Sequence, residues 1–577
     1  MSRRFLVPLA IVVLALALRF TALDFGLPLA ESRPDELTLG FQAMKFGRGD
    51  LNPHSFNYPT LWKYVQFGGF GGWFVAGKLT GAVPGQDAFL RDFFLAETPY
   101  RWVQRALSAL AGVATVAMLL RTPSSLGGGA AAPQVGRWAA LFLAVCALHV
   151  RESRFGTTDA PVTMFVTAAL LAALTLVREG GWRWAAVAGG LAGLAASTKY
   201  PGALACVPVG VAALLAPVVT ENPHASTWKL RLRWASVAAG ASVVTFLLGS
   251  PYVALDFGQF VKDLRFEAAH LAAGHHVSVG SGWWYHLRVS LGDGMGWGLL
   301  AVGIAGLVVA ARRSREGVVL ASFVLAYWLF IGRGNTAFFR YILPVVPALC
   351  MGAGVLVASL PRASWRVALA LAALVPTLVP ALQLTRFLRA EDTRSEMGAW
   401  IEANVPANAE ILHAGAPAGC PLLQRDVANQ TREFEARQGR ADSAGFRKPD
   451  DPRWYDATRP AYDVWYLQHP ATAFSKMAAE AGFDYASTRT IADALTMRPT
   501  WILVESSPLA AYSTVDPAVL AMVEGPTYRA VHAVRGHDPA RAAASRMDVQ
   551  DAFYAPLVGF DGWDAPGPNL VLYRRVE

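Results

Sequence analysis

The chain has 577 residues, of which 54% are hydrophobic and only 16% charged, and it carries a net charge of +9. Soluble domains carry about 25% charged residues, and the deficit here is concentrated in long uncharged stretches of the length a bilayer demands; a wholly soluble protein is excluded. Lys and Arg mostly flank apolar runs, which speaks of membrane topology rather than a nucleic-acid partner, and Cys146, Cys206, Cys350 and Cys420 show neither metal-ligand spacing nor a disulfide framework.

Ser2-Arg3-Arg4 precedes an apolar run over 5–23. That run is longer than a signal-peptide core and no small-x-small cleavage site follows at once, so a retained first helix is expected. Ten more runs follow, at 102–120, 138–150, 161–177, 182–196, 201–219, 234–249, 294–311, 318–331, 341–360 and 367–384. With a cytoplasmic N-terminus, eleven spans put the basic connections 121–137, 178–183, 229–233, 312–315 and 362–366 inside, as the positive-inside rule asks. The outer connections carry mixed charge: Asp35 and Glu36, Glu152 with Asp159, and Asp256 with Asp263 and Glu267. This parity requires the Gly-rich stretch 65–82 to lie at the interface or to form a re-entrant hairpin, because one more span would invert everything after it. The 127–132 stretch reads as a low-complexity cytoplasmic linker.

After 384 the composition changes. Strand-like runs at 410–413, 462–467 and 500–505 alternate with helix-like stretches at 394–404 and 473–481. The expected fold is an α-helical polytopic membrane protein with about 11 transmembrane helices over residues 1–385, including a first outer loop at 24–101 that would carry the chemistry. A soluble α/β domain over 386–577, of ordinary domain size, would follow on the extracytoplasmic side.

Four outer clusters carry candidate chemistry. In Arg33-Pro34-Asp35-Glu36, adjacent carboxylates can serve as a general base or hold a divalent cation; equally, Asp35 and Glu36 can cap a helix over 37–46. Further along the loop, His54 and Tyr58 sit between prolines that fix the backbone, where they could orient a substrate or act as interface residues. Arg151 and Arg154 crowd with Glu152 and Asp159, an arrangement suited to a phosphate or to a snorkelling charge belt. Lys199, beside Tyr200, lies in a short connection at the membrane edge, where a held charge marks a ligand site by default; Arg340-Tyr341 places a cation on the side that should be poor in them, which points to an anionic ligand or to a structural partner for the arginine.

The order Pro34-Asp35-Glu36, Asn52-Pro53-His54 with Tyr58-Pro59, Arg154 with Asp159-Ala160-Pro161, Lys199-Tyr200-Pro201, Ser250-Pro251-Tyr252 and Arg340-Tyr341 with Leu343-Pro344 resembles the GT-C superfamily of membrane glycosyltransferases. Within it the chain is similar to the protein O-mannosyltransferase and lipid A aminoarabinose transferase group, and Asp392-Thr393-Arg394 with Trp400-Ile401 and Asn404-Val405-Pro406 resembles the start of that group's soluble domain in bacteria. The resemblance implies a polyprenyl-phosphate-linked sugar donor, transfer at the outer face of a bacterial inner membrane, and inversion at the anomeric carbon. Asp35 would be base or metal ligand with Glu36 beside it, and Arg154, Lys199 and Arg340 would meet the phosphate. No cofactor is certain, and a divalent metal at Asp35 and Glu36 stays open. No acceptor signature matches, which leaves lipid, glycan and protein acceptors open. A transporter or flippase of lipid-linked saccharides is the main alternative; it would place functional polar residues near the midplane, where few charges occur. A non-catalytic sensor would leave Asp35 dispensable.

Overall fold

The computed structural model describes residues 3–29, 32–95, 98–127, 132–218, 226–275, 277–436, 456–468 and 487–576. Each of the eleven apolar runs overlaps a helix. Among the described residues, five of these helices are long and apolar enough to cross a membrane: Thr98–Leu119, Asp159–Glu179, Thr227–Gly249, Phe339–Ser359 (whose first turns are 3-10) and Ala363–Phe387. A sixth arises if Gly282–Asp293 and Trp297–Arg313, bent by 113°, form one broken span. The other runs give shorter helices, such as Leu6–Phe20, Trp182–Thr198 and Arg315–Ile331, so a count of eleven does not follow from helix length alone. The protein is an integral membrane protein built on these apolar helices.

Burial ranks the helices. The apolar window of Phe339–Ser359 is 89% buried and that of Thr227–Gly249 only 17%, so the first is central and the second turns Val243, Val244 and Leu248 outward. Close approach depends on small residues, as in membrane bundles generally. Gly306 and Gly352 face one another across Trp297–Arg313 and Phe339–Ser359, and a Cβ on either would meet the opposing backbone. The stretch 65–82 does not form a hairpin. It lies in one continuous helix, Leu61–Thr80, closed by Gly81 in the left-handed region, with Trp73, Val75 and Leu79 exposed. Its glycines lower helix propensity without supplying a turn in mid-run.

The C-terminal region forms a seven-stranded sheet. Its strands are β1 (Glu410–Ala414), β2 (Gln424–Arg425), β3 (Ala461–Leu467), β4 (Thr488–Arg489), β5 (Trp501–Ser506), β6 (Tyr528–Val534) and β7 (Asn569–Arg575). The order is β2-β3-β1-β5-β7-β6, with β4 beside β3; β1 is parallel to β3 and β5, and β7 is antiparallel to β5 and β6. Along β5, Trp501 and Leu503 join Met397, Ile401 and Val464 in one core, while Ile502 and Val504 join Leu412 and Val519 in the other, as the two-residue period of a strand covered on both faces requires. The expected strands and the helix at 394–404 are present, the last as Thr393–Asn404; the stretch 473–481 lies outside the described residues. A third cluster, with Phe25, Phe155, Phe387, Leu509, Tyr512 and Phe553, seals this domain onto the helices.

Candidate active site

Pro34 opens the helix Pro34–Lys45, and Asp35 and Glu36 fall in its first turn. Neighbours on a helix diverge by about 100°, and here the two carboxylates part completely. Neither caps the helix: Arg33 holds the cap position with no side-chain capping bond. Glu36 is fully buried. It accepts from Arg105 Nε at 3.1 and 3.0 Å and from the Gly156 N–H at 2.7 Å. Gly156 permits this approach because a Cβ there would lie 2.6 Å from Gln104 Cβ. Arg105 also donates to the carbonyls of Leu23 and Phe25, at 2.7 and 2.8 Å. Glu36 therefore fastens the first outer loop to Thr98–Leu119 and turns away from Asp35.

Asp35 keeps 30% of its side chain exposed. Its Oδ2 lies 2.8 Å from Arg340 Nη2 and 3.9 Å from Arg33 Nη2. Lys199 Nζ donates to Asp159 Oδ1 at 2.6 Å and stands 4.8 Å from the centre of the Tyr341 ring. Arg340 Nε is 3.8 Å from Asp159 Oδ2. Asp35, Asp159, Lys199, Arg340 and Tyr341 thus share one site. Tyr58 faces it too: burial, then the charge of Asp35, holds its phenol protonated well above the ordinary range.

The remaining candidates have other partners. Arg154 donates to the Leu18 carbonyl and to Thr385 Oγ1, beneath the site. Arg151 is paired with Glu152 and enclosed by the rings of Phe155, Phe339 and Phe553. His54 is half exposed and bonded to Asp50 at 2.7 Å. Tyr200 donates to the Phe56 carbonyl at 2.6 Å, bracing the first outer loop. Asp35 and Glu36, pointing apart and already paired with arginines, do not form a joint donor set for a divalent cation, and among the described residues no three His, Cys, Asp or Glu side chains cluster as a metal would need.

Four groups join the site that the local sequence did not single out. Arg33 is fully buried, and Asp551, from the C-terminal domain, accepts from it and from Arg340. Burial alone would raise the Asp551 carboxyl, but Arg33 and Arg340 hold it well below the ordinary range. From the helix Phe257–Ala273, Glu267 is pushed up to about 7, by burial foremost and against the pull of Lys199, with Asp35 and Asp263 adding to the rise. His270 is lowered to about 4 by burial and by Arg340. The signals were partly legible: Arg33 belongs to the Asp35 motif, and Asp263, Glu267 and His270 have one-face helical spacing. Nothing near Asp551 announces it.

Among the described residues, several buried guanidinium N–H groups near the site have no hydrogen-bond acceptor: Nε and Nη2 of Arg33, Nε and Nη2 of Arg151, and Nε of Arg340. Buried donors of this kind are costly unless something accepts from them. A tetrahedral oxyanion is the acceptor that guanidinium forks match best.

Comparison with known proteins agrees with this architecture. The sequence model of the family described as dolichyl-phosphate-mannose-protein mannosyltransferase matches residues 91–249. No curated protein matches the chain in sequence. Among solved structures, ArnT from Cupriavidus metallidurans bound to undecaprenyl phosphate is 14% identical, with 98% of this chain and 97% of that one covered and a TM-score of 0.50. The apo state of the same protein gives 15% identity, the same coverage and a TM-score of 0.50. The Archaeoglobus fulgidus oligosaccharyltransferase tethered with an acceptor peptide is 13% identical over 71% of this chain and 61% of that one, with a TM-score of 0.41. The chain is therefore similar to the GT-C superfamily of membrane glycosyltransferases. Within that class the likeness runs to the protein O-mannosyltransferase family by sequence over 91–249, and to ArnT by fold over nearly the whole chain.

Proposed function

We propose that this protein is a glycosyltransferase that moves a sugar from a polyprenyl-phosphate-linked donor to an acceptor hydroxyl at the outer face of the membrane. The observation that carries this reading is one partly exposed carboxylate, Asp35, beside the buried cations Arg33 and Arg340 and near the partly buried Lys199, with guanidinium N–H groups left to donate to an oxyanion. The acceptor hydroxyl attacks the anomeric carbon while Asp35 takes its proton. The bond to the lipid phosphate breaks, and the negative charge growing on that phosphate is met by Arg340, Arg33 and Lys199. Displacement in one step inverts the anomeric carbon. Glu36 has no part in the proton transfer; Tyr58 and Tyr341 line the site. The likeness in fold to a protein crystallised with undecaprenyl phosphate supports the donor class. The charge parity of the connections supports a cytoplasmic N-terminus and an extracytoplasmic C-terminal domain, and the likeness in fold to ArnT from Cupriavidus metallidurans supports a bacterial inner membrane.

The test uses purified protein, a polyprenyl-phosphate sugar and a membrane extract as acceptor source. Asp35→Asn is expected to lower the transfer rate by about 10²–10⁴-fold with the melting temperature kept. Transfer at the parental rate by that variant overturns the assignment, and it would favour the flippase reading if lipid-linked saccharide still crossed the membrane.

A further inference from the structure

Arg340 follows a short irregular connection. Residues 335–338 form no helix or strand, and the chain enters the 3-10 turn Phe339–Val345 directly afterwards. Its first two residues are tied to the helix Phe257–Ala273: the Asn335 and Thr336 N–H groups donate to the Leu271 carbonyl, and their side chains donate to the carbonyls of Ala272 and His270. A short segment of the C-terminal domain meets further polar groups nearer Arg340. Gln550 Oε1 accepts from the Ala337 N–H at 2.7 Å, and Gln550 Nε2 donates to the carbonyls of Asn335 at 3.0 Å and Val277 at 2.7 Å. Asp548 Oδ2 accepts from the Phe339 N–H at 2.8 Å. Every second residue of the connection is thereby fixed, and Val277 ties in a second outer loop. Tyr512 donates to the Gln550 carbonyl at 2.7 Å, holding the segment to its own domain.

Asp551 completes the contact. Both its oxygens accept from Arg33 Nη1 at 2.7 Å, and Oδ2 also accepts from Arg340 Nη1. One buried carboxylate thus bridges two buried guanidinium groups that would otherwise repel each other. It engages only Nη1 of each. Among the described residues, Nε and Nη2 of Arg33 and Nε of Arg340 stay without an acceptor, while Arg340 Nη2 turns to Asp35.

We infer that the 548–551 segment of the C-terminal domain is a positioning element of the donor site, in which Asp551 and Gln550 hold Arg33 and Arg340 side by side so that their remaining N–H groups converge on the donor's phosphate. The inference rests on the donor class proposed above. It gives the C-terminal domain a part in building the site that the membrane helices alone do not complete. A carboxylate that merely occupied the phosphate's place would predict the opposite: its removal would tighten anion binding. The backbone bonds from Gln550 and Asp548 speak against that, since a competing anion has no need to fix the connection behind it.

The experiment is a titration of the full chain in nanodiscs with undecaprenyl phosphate, with bound lipid read by native mass spectrometry. Asp551→Asn and Gln550→Ala are each expected to weaken binding by about tenfold or more, the scale of one lost charge-assisted contact. Asp551→Glu should regain most of the loss, a rescue that a general packing defect would not show. Asp551→Asn leaves two arginines short of a counter-charge and can fail to fold; Gln550→Ala strands no charge and carries the test alone if so. If Asp551→Asn and Gln550→Ala bind as tightly as the parent, or tighter, the positioning role is overturned. A parent that binds no undecaprenyl phosphate instead removes the donor assignment beneath it.

Discussion

Two adjacent carboxylates at one helix start take opposite roles, and burial decides which. Asp35 keeps contact with solvent and faces cations that have N–H groups to spare, whereas Glu36 is sealed with Arg105. Glu36→Gln should destabilise the protein by about 3–5 kcal/mol, because it leaves the Arg105 guanidinium buried without its counter-charge; thermal melting of the purified protein checks this, and Asp35→Asn is the contrasting variant. Asp548 makes a separate prediction. Burial foremost, then the neighbouring charge of Asp551, push its carboxyl up to about 7. The folded protein therefore binds this proton more tightly than the unfolded chain does. Its contribution to stability is intact below the ordinary carboxylate range and is lost as pH rises from about 4 towards 7. Asp548→Asn keeps an acceptor for the Phe339 N–H and carries no titrating group. Its melting temperature should match the parent's at pH 4 and exceed it at pH 8. A parallel pair of melting curves across that range would dismiss the assignment.

At the scale of elements, what the sequence revealed was what is written locally. Apolar runs of sufficient length mark helices wherever the chain puts them, so all eleven runs overlap one. Clusters at helix ends also declared themselves: the expected site took in Asp35, Glu36, Arg154, Lys199 and Arg340, and of these Glu36 and Arg154 turn to other partners while Asp35 and Arg340 pair, with Lys199 joined to them through Asp159. The edge strand β6 was missed because it is buried only at its two ends and reads Tyr-Arg-Ala-Val-His-Ala-Val, without an apolar face. The divergence of Asp35 from Glu36 was hidden because it depends on Arg105, 69 positions after Glu36. Asp551 was hidden for the same reason, 211 positions after Arg340. Helix packing gives its own test. Gly306→Val would force a side chain into the Gly352 backbone and should cost about 1–3 kcal/mol, read as a lowered melting temperature. Gly258, with open space around it, should tolerate Ala far better.

For the whole molecule, near-complete coverage at 14% identity means that this arrangement of helices and a C-terminal sheet tolerates replacement of most side chains. The outward placement proposed for that sheet domain can be checked directly. Asp561 has a side chain 75% exposed, so Asp561→Cys in a Cys206→Ser background should react in intact cells with a reagent that cannot cross the membrane. Protection until the cells are opened would reverse the topology. The bridge from Arg33 to Asp551 also has a consequence in time. The two residues are 518 positions apart, and at a synthesis rate of about 5–20 residues per second the first outer loop waits about half a minute to two minutes for its partner. Through that interval the chain can form the Asp35–Arg340 pair but lacks the carboxylate that bridges Arg33 to Arg340. On the positioning role inferred above, a product cut short before residue 548 would bind undecaprenyl phosphate at least about tenfold more weakly than the full chain, so the donor site waits on a segment made long after its first loop.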